Sequence, residues 1–192
     1  MFRRIFGPGP EHEQAADTAQ AAFDTASTAA ETETVRRIVA RLEALPPERA
    51  RLVASAAYTL ARAAYADLDI SDAETAIIED ALQTRGSLDE PTAVLVAEMA
   101  KLQAKTVGGT EDFVVTRELA SIATPDQKAN ILRGAFRIAA ASGSISAEES
   151  AEVNQIAREL DLEADTVNAI RAEFHEQLSS VQAVRRAAGE AP

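Results

Sequence analysis

The stretch Ala61-Arg-Ala-Ala-Tyr-Ala-Asp-Leu-Asp-Ile-Ser-Asp-Ala-Glu-Thr-Ala-Ile-Ile-Glu-Asp80 reads as the end of one helix, an acidic corner and the start of a second helix. Going back from Asp67, the residues Ala64, Ala63, Leu60, Ala56 and Leu52 recur at three- and four-residue steps. That spacing puts Asp67 on the core-facing stripe of its helix. Going forward from Glu74, the residues Ile77, Ile78, Ala81 and Leu82 repeat it, so Glu74 also continues an inward face. Two carboxylates at the seam of a helix pair cost on the order of several kcal/mol if nothing compensates them. The compensation has to come from backbone N–H groups, an arginine or a cation.

Capping supplies part of the answer. Ser71-Asp-Ala-Glu74 fits a capping box, in which the Ser71 hydroxyl takes the Glu74 N–H and the Glu74 carboxylate returns to the Ser71 N–H. Acids in a first helical turn also suit the positive end of the helix dipole. This accounts for Ser71, Asp72 and Glu74 but leaves Asp67 and Asp69 over.

Outward from the corner, the chain reads as helices joined by short breaks. Val35, Ile38, Val39, Leu42 and Leu45 form a stripe that Pro46-Pro47 ends, and Pro47-Glu48 opens the helix that runs to about Asp67. A helix from about Asp72 to Thr84 stops at Gly86. Ser87-Leu-Asp-Glu90 looks like another capping box, leading a helix with Val94, Leu95, Ala97, Met99 and Leu102 that ends before Gly108-Gly109. Phe113, Val114, Leu119 and Ile122 mark a shorter helix from about Glu111. Thr124-Pro-Asp-Gln127 then gives a clear start signal for a helix carrying Ile131, Leu132, Ala135, Phe136, Ile138 and Ala139.

Ser142-Gly-Ser144 breaks that helix in a way that matches the first corner. Ala141 to Glu149 lines up with Ala66 to Glu74 at a constant offset of 75, pairing Ile145 with Ile70, Ser146 with Ser71, and Arg137 with Arg62. Val153, Ile156 and Leu160 continue inward from Glu149, and a last helix runs through Ile170 and Phe174 to about Leu178. The chain therefore reads as two related helical halves in one all-α domain. Its expected bounds are 34–178, between a flexible tail or linker over 1–33 and a frayed tail over 179–192.

Composition narrows the function. The 192 residues carry 31 acids against 19 bases, a formal charge of −12 that repels phosphate backbones and excludes nucleic acid as a partner. The absence of cysteine removes disulfides, thiolate zinc sites, iron–sulfur clusters and thiol redox chemistry. No run has the length and apolarity of a transmembrane segment, and a cytoplasmic protein is expected. The Met1-Phe-Arg-Arg-Ile-Phe6 end is too short for a stable helix of its own.

The two corners resemble the TerB-like domains, named for a tellurite-resistance protein. The family pattern is a helix ending in Ala-Asp-Gly, an apolar residue one position further on, a cap residue and a Glu opening the next helix, once in each half. Ala66-Asp67-Leu68-Asp69-Ile70-Ser71-Asp72-Ala73-Glu74 matches the first copy, with Leu68 where glycine is usual. Ala141-Ser142-Gly143-Ser144-Ile145-Ser146-Ala147-Glu148-Glu149 matches the second, with Ser142 where aspartate is usual. The resemblance spans about Thr34 to Leu178. It implies a compact bundle of about seven to eight helices in two pseudo-repeated halves, and a bacterial, non-enzymatic role in stress response, with protein partners and a place near the inner membrane. It also implies an acidic metal site. The candidate ligands of a divalent cation, calcium or magnesium among others, are Asp67, Asp69, Glu74 and Glu149. Ser142 weakens a symmetric site, because a hydroxyl is a poorer ligand for hard cations than a carboxylate.

Other chemistries fit less well. Asp67-x-Asp69-x-Ser71 begins like an EF-hand loop, but Asp72 stands where glycine is needed and Ile78 where the bidentate Glu is needed. His12 falls in the expected linker, and His175 is expected on the surface of the last helix, so a Ser-His-Asp apparatus has nothing to be built from. Gly108-Gly109 leads into acids that would repel phosphate. Arg62 and Arg137, one turn before each corner, are placed to pair with Asp67 or the glutamates and so to replace a metal. The function expected is thus an interaction module with a cation site at the corner. A metal-free structural adaptor acting through its acidic surface or tails is the alternative, and a carboxylate-based hydrolase the remote one.

Overall fold

Proline decides where the first long helix begins. In the computed structural model, which describes residues 40–107 and 110–189 together with Arg36, Pro46 is extended (φ −52°, ψ 139°) and Pro47 opens α1 (Pro47–Ala64). A proline there gives up only an N–H that a helix start leaves without a partner. The chain continues through a 3-10 turn, Tyr65–Asp67, into α2 (Asp72–Thr84), α3 (Glu90–Val107), α4 (Thr110–Ile122) and α5 (Pro125–Ala139). It then forms α6 (Ala147–Glu159), α7 (Ala164–Glu173), a second 3-10 turn, His175–Gln177, and α8 (Ser179–Ala187). Among the described residues there is no strand, and the one sheet-like contact is an isolated parallel bridge between Ile145 and Leu178. The fold is all-α, as expected.

The chain divides into two units, Met1–Ala44 and Leu45–Pro192. In the first, backbone 40–43 is helical. The second unit starts at Leu45. The expected tail over 1–33, with Phe2, Phe6 and His12, lies outside the described residues, as do Gly108 and Gly109.

Helix α1 is the centre of the second unit and packs on α2, α3, α4, α5 and α6. Ala64 belongs to the apolar cluster shared with α2 and α3, while its neighbour Ala63 belongs to the cluster shared with α5, α6 and α7. Two small residues side by side thus let one helix serve two cores. In α3 the packing stripe is Ala93, Ala97, Ala100 and Ala104, all buried. The larger Val94, Leu95, Met99 and Leu102, which mark this helix in sequence, are 36–61% exposed. Alanine at these steps brings helix axes close, and the bulkier residues turn outward.

The two halves superimpose along the chain. Helices α2 and α6 are each 13 residues long and their ends are 75 residues apart; α1 and α5 end at Ala64 and Ala139, again 75 apart. Leu68 (φ 72°) and Gly143 (φ 90°) occupy the same corner position, both in the left-handed region. The repeat read from the sequence is therefore a repeat of backbone geometry as well.

Two expectations need correction. Ser87 does not cap α3: its φ of 52° is left-handed, it belongs to the exit from α2, and α3 starts at Glu90. The last helix, read through Ile170 and Phe174 to about Leu178, is split at the His175–Gln177 turn and followed by α8. Backbone bonds explain the order there. The Ile145 N–H donates to the Gln177 carbonyl at 2.7 Å and the Ser179 N–H to the Ile145 carbonyl at 3.0 Å. Gln182 then donates to the Gly143 carbonyl at 3.0 Å, and Arg185 to Glu176 at 2.7 Å. No helical period announces such anchoring.

Candidate functional site

Both corners are built on capping boxes. At the first, the Ser71 N–H donates to the Glu74 carboxylate at 2.8 Å and the Glu74 N–H to the Ser71 hydroxyl at 3.3 Å. At the second, the Ser146 N–H donates to the Glu149 carboxylate at 2.7 Å and the Glu149 N–H to the Ser146 hydroxyl at 3.1 Å. Both glutamates are half-buried, as the inward stripes required.

Asp67 is placed differently from its sequence reading. Helix α1 ends at Ala64, and the tighter 3-10 turn rotates Asp67 off the core stripe and into solvent. Its carboxylate accepts the Asp69 N–H at 3.2 Å, and Asp69 is itself exposed. The left-handed Leu68 then turns the chain toward α2.

The corners face each other. Asp67 and Leu68 from the first, with Ser142, Ser144 and Glu149 from the second, line one open depression of about 670 Å³. Glu74 is half-buried at the first corner. Burial pushes its carboxyl above the ordinary glutamate range, the Ser71 hydrogen bonds oppose this, and the charges of Asp67 and Glu149 add to the rise. Of the four candidate ligands, Asp67 and Glu149 line the depression, whereas Glu74 and Asp69 do not. Among the described residues, no group of three or more His, Asp or Glu side chains is close enough to hold a metal ion as it stands.

The chain matches the family model described as tellurite resistance protein TerB over residues 53–172, which is 120 of its 192 residues. The chain belongs to the TerB family. The match takes in both corners and runs from the buried part of α1 to the end of α7. No curated protein and no solved structure matches the chain.

Within this TerB domain the two matched arginines do not pair with the corner acids. Arg62 is buried and reaches into the other half, donating to Glu159 at 2.5 Å and Thr116 at 3.1 Å and also to Glu152. Burial works to lower its pKa, and the bonds and charges of Glu159 and Glu152 outweigh this and raise it. Arg137 makes the reciprocal reach, from the second half to Asp80 on α2 at 3.2 Å, in the open. Sequence reading missed Glu152 and Glu159. The signal was available: with Gln155 they form a polar row at i, i+3 and i+7 on a helix whose other side buries Val153 and Ile156. His175 is 59% exposed, next to Glu176, on the second 3-10 turn. Among the described residues no helix is long and apolar enough to cross a membrane.

Proposed function

We propose that this chain is a non-enzymatic interaction module of the tellurite-resistance type, working through protein partners in the stress response of a bacterial cytoplasm, at or near the inner membrane. Its working surface is the pair of facing acidic corners, where Asp67 and Glu149, with Glu74 and Asp69 from the first corner, loosely hold a divalent cation. The observation that carries this reading is that the like-charged Asp67 and Glu149, from corners far apart in sequence, line one open depression. A divalent cation in the depression would relieve that like-charge repulsion, and oxygen ligands suit calcium or magnesium. Ordering on binding would have to draw Asp67 inward.

A second reading, the metal-free adaptor, is favoured by the capping boxes, which already give the Glu74 and Glu149 carboxylates backbone partners. Thermal melts of the metal-stripped protein, then with calcium, magnesium, manganese or zinc, separate the two. A saturable rise in Tm that disappears in Asp67→Asn supports the cation site. No shift for any ion at millimolar concentration leaves the corners as capped joints.

A further inference from the structure

A second cavity, on a different face from the corners, carries the opposite charge. Helices α1, α2 and α5 enclose a half-open space of about 410 Å³, within the roughly 300–1,000 Å³ range of small-molecule sites. The apolar part of its wall is formed by Leu52, Val53 and Leu60 of α1, Leu82 of α2 and Ile131 of α5, beside the polar Thr84, Gln127 and Asn130. Gly134 of α5 lets the helices approach closely: a Cβ there would lie 2.9 Å from a Leu60 methyl carbon.

Among the described residues four arginines line this space, and no Asp or Glu does. On a chain with a formal charge of −12, such a grouping is against the general run of the surface. Three of the four are tied from outside the cavity or at its edge. Arg49 donates to the Gly86 carbonyl at 2.7 Å, Arg133 to Glu173 at 3.0 Å and Arg137 to Asp80 at 3.2 Å. Arg85, just past α2, is exposed; its backbone N–H donates to the Ala81 carbonyl, and its guanidinium has no hydrogen-bond or ion-pair partner among the described residues. A structural role explains a buried apolar seam between three helices. It does not explain why the seam is open and why its rim is cationic.

We infer that this cavity binds a medium-chain aliphatic carboxylate, the apolar tail against Leu52, Leu60 and Ile131 and the head group at Arg85. An alkyl chain gains from leaving water along those walls, and a guanidinium matches a carboxylate in both charge and fork geometry. Arg133 and Arg137 at the mouth are each paired with an acid, Glu173 and Asp80, which leaves the head group to Arg85. This site is independent of the corners, and either can fail without the other.

The test is titration of the full chain with decanoate, followed by calorimetry and by backbone amide NMR, with decanol and acetate as controls. The expected result is saturable decanoate binding with shifts centred on Ala56, Ala81 and Gly134, at least about tenfold weaker binding of decanol, and none of acetate. Arg85→Glu is expected to weaken decanoate by about tenfold or more, and Ala81→Phe, which fills the cavity, to abolish it. If Ala81→Phe does not fold by circular dichroism, Arg85→Glu at its exposed site decides the matter. Absence of saturable decanoate binding at millimolar concentration overturns the inference. So do equal affinities for decanol and decanoate, an unchanged affinity in Arg85→Glu, or shifts that map elsewhere.

Discussion

Arg62 on α1 and Glu159 on α6, 97 residues apart in the chain, form an ion pair at 2.5 Å whose side chains are 8% and 5% exposed. Gln155 donates to the same Glu159 carboxylate at 2.6 Å, and Thr116 accepts from Arg62. The pair is the buried tie between the first half's central helix and the second half's post-corner helix. Its counterpart, Arg137 with Asp80, ties the halves in the reverse sense but in solvent, at 51% and 48% exposure.

That difference in burial sets the first prediction. Removing one partner from a buried pair leaves an unpaired charge, so Arg62→Met should cost about 3–5 kcal/mol. Arg137→Met breaks an exposed pair and should cost no more than about 1 kcal/mol. Combining Arg62→Met with Glu159→Met should recover much of the loss, since the uncompensated Glu159 charge goes with it. Urea denaturation of the four proteins, wild type included, checks this. Equal costs for Arg62→Met and Arg137→Met would show the buried pair to be unimportant.

Leu68 holds a φ of 72° while its side chain is 75% exposed, so it bears left-handed strain with little burial in return. The matched position in the second half is Gly143, with φ 90° and open space around a notional Cβ. Leu68→Gly should therefore raise stability by about 0.5–1 kcal/mol, the relief of strain exceeding the entropy glycine adds to the unfolded chain. Gly143→Ala should lower it by about 1 kcal/mol. Differential scanning calorimetry reads both, and a lower Tm for Leu68→Gly would contradict the argument.

Glu74 should make stability depend on pH in an unusual direction for a carboxylate. Its pKa in the folded protein is raised, by burial first and then by Asp67 and Glu149 against the lowering bonds from Ser71. Between its ordinary value and the raised one, the folded state therefore binds more protons than the unfolded state. Stability from this group falls as pH rises through that window and returns as pH falls below it. Asp67→Asn should move the Glu74 titration, followed by side-chain carboxyl NMR, back toward the ordinary value. Glu74→Gln should flatten the pH dependence at little cost, because glutamine also completes a capping box, as Gln127 does with Thr124. A Glu74 titration unmoved by Asp67→Asn would separate the two corners electrostatically.

Thr92 on α3 is 1% exposed and its hydroxyl has no hydrogen-bond partner among the described residues. An unmade bond in the core costs about 1–3 kcal/mol, and valine has nearly the same shape. Thr92→Val is expected to be neutral or to stabilise by about 1 kcal/mol, read as the midpoint of urea unfolding. A clear loss of stability would mean that the hydroxyl has a partner after all.

How much of this was legible beforehand follows from the kind of signal each feature leaves. Helix periods, Pro47 at a helix start and the boxes Ser71–Glu74, Thr124–Gln127 and Ser146–Glu149 are local, and each is present as read. The offset of 75 between corners is also a property of the linear chain, and it carried over to matching backbone angles at Leu68 and Gly143. The sequence by itself thus determined the helices, their caps and the doubling of the corner, because these depend on interactions within about one helical turn. Tertiary structure alone decided the rest. The turn at Tyr65–Asp67 put Asp67 into solvent, the alanine stripe of α3 turned Met99 and Leu102 outward, and packing of the halves joined Arg62 to Glu159. It also gathered Arg85, Arg133 and Arg137 around one cavity. Contacts between residues so far apart are fixed by how helices pack in three dimensions, and spacing along a chain cannot encode which faces will meet.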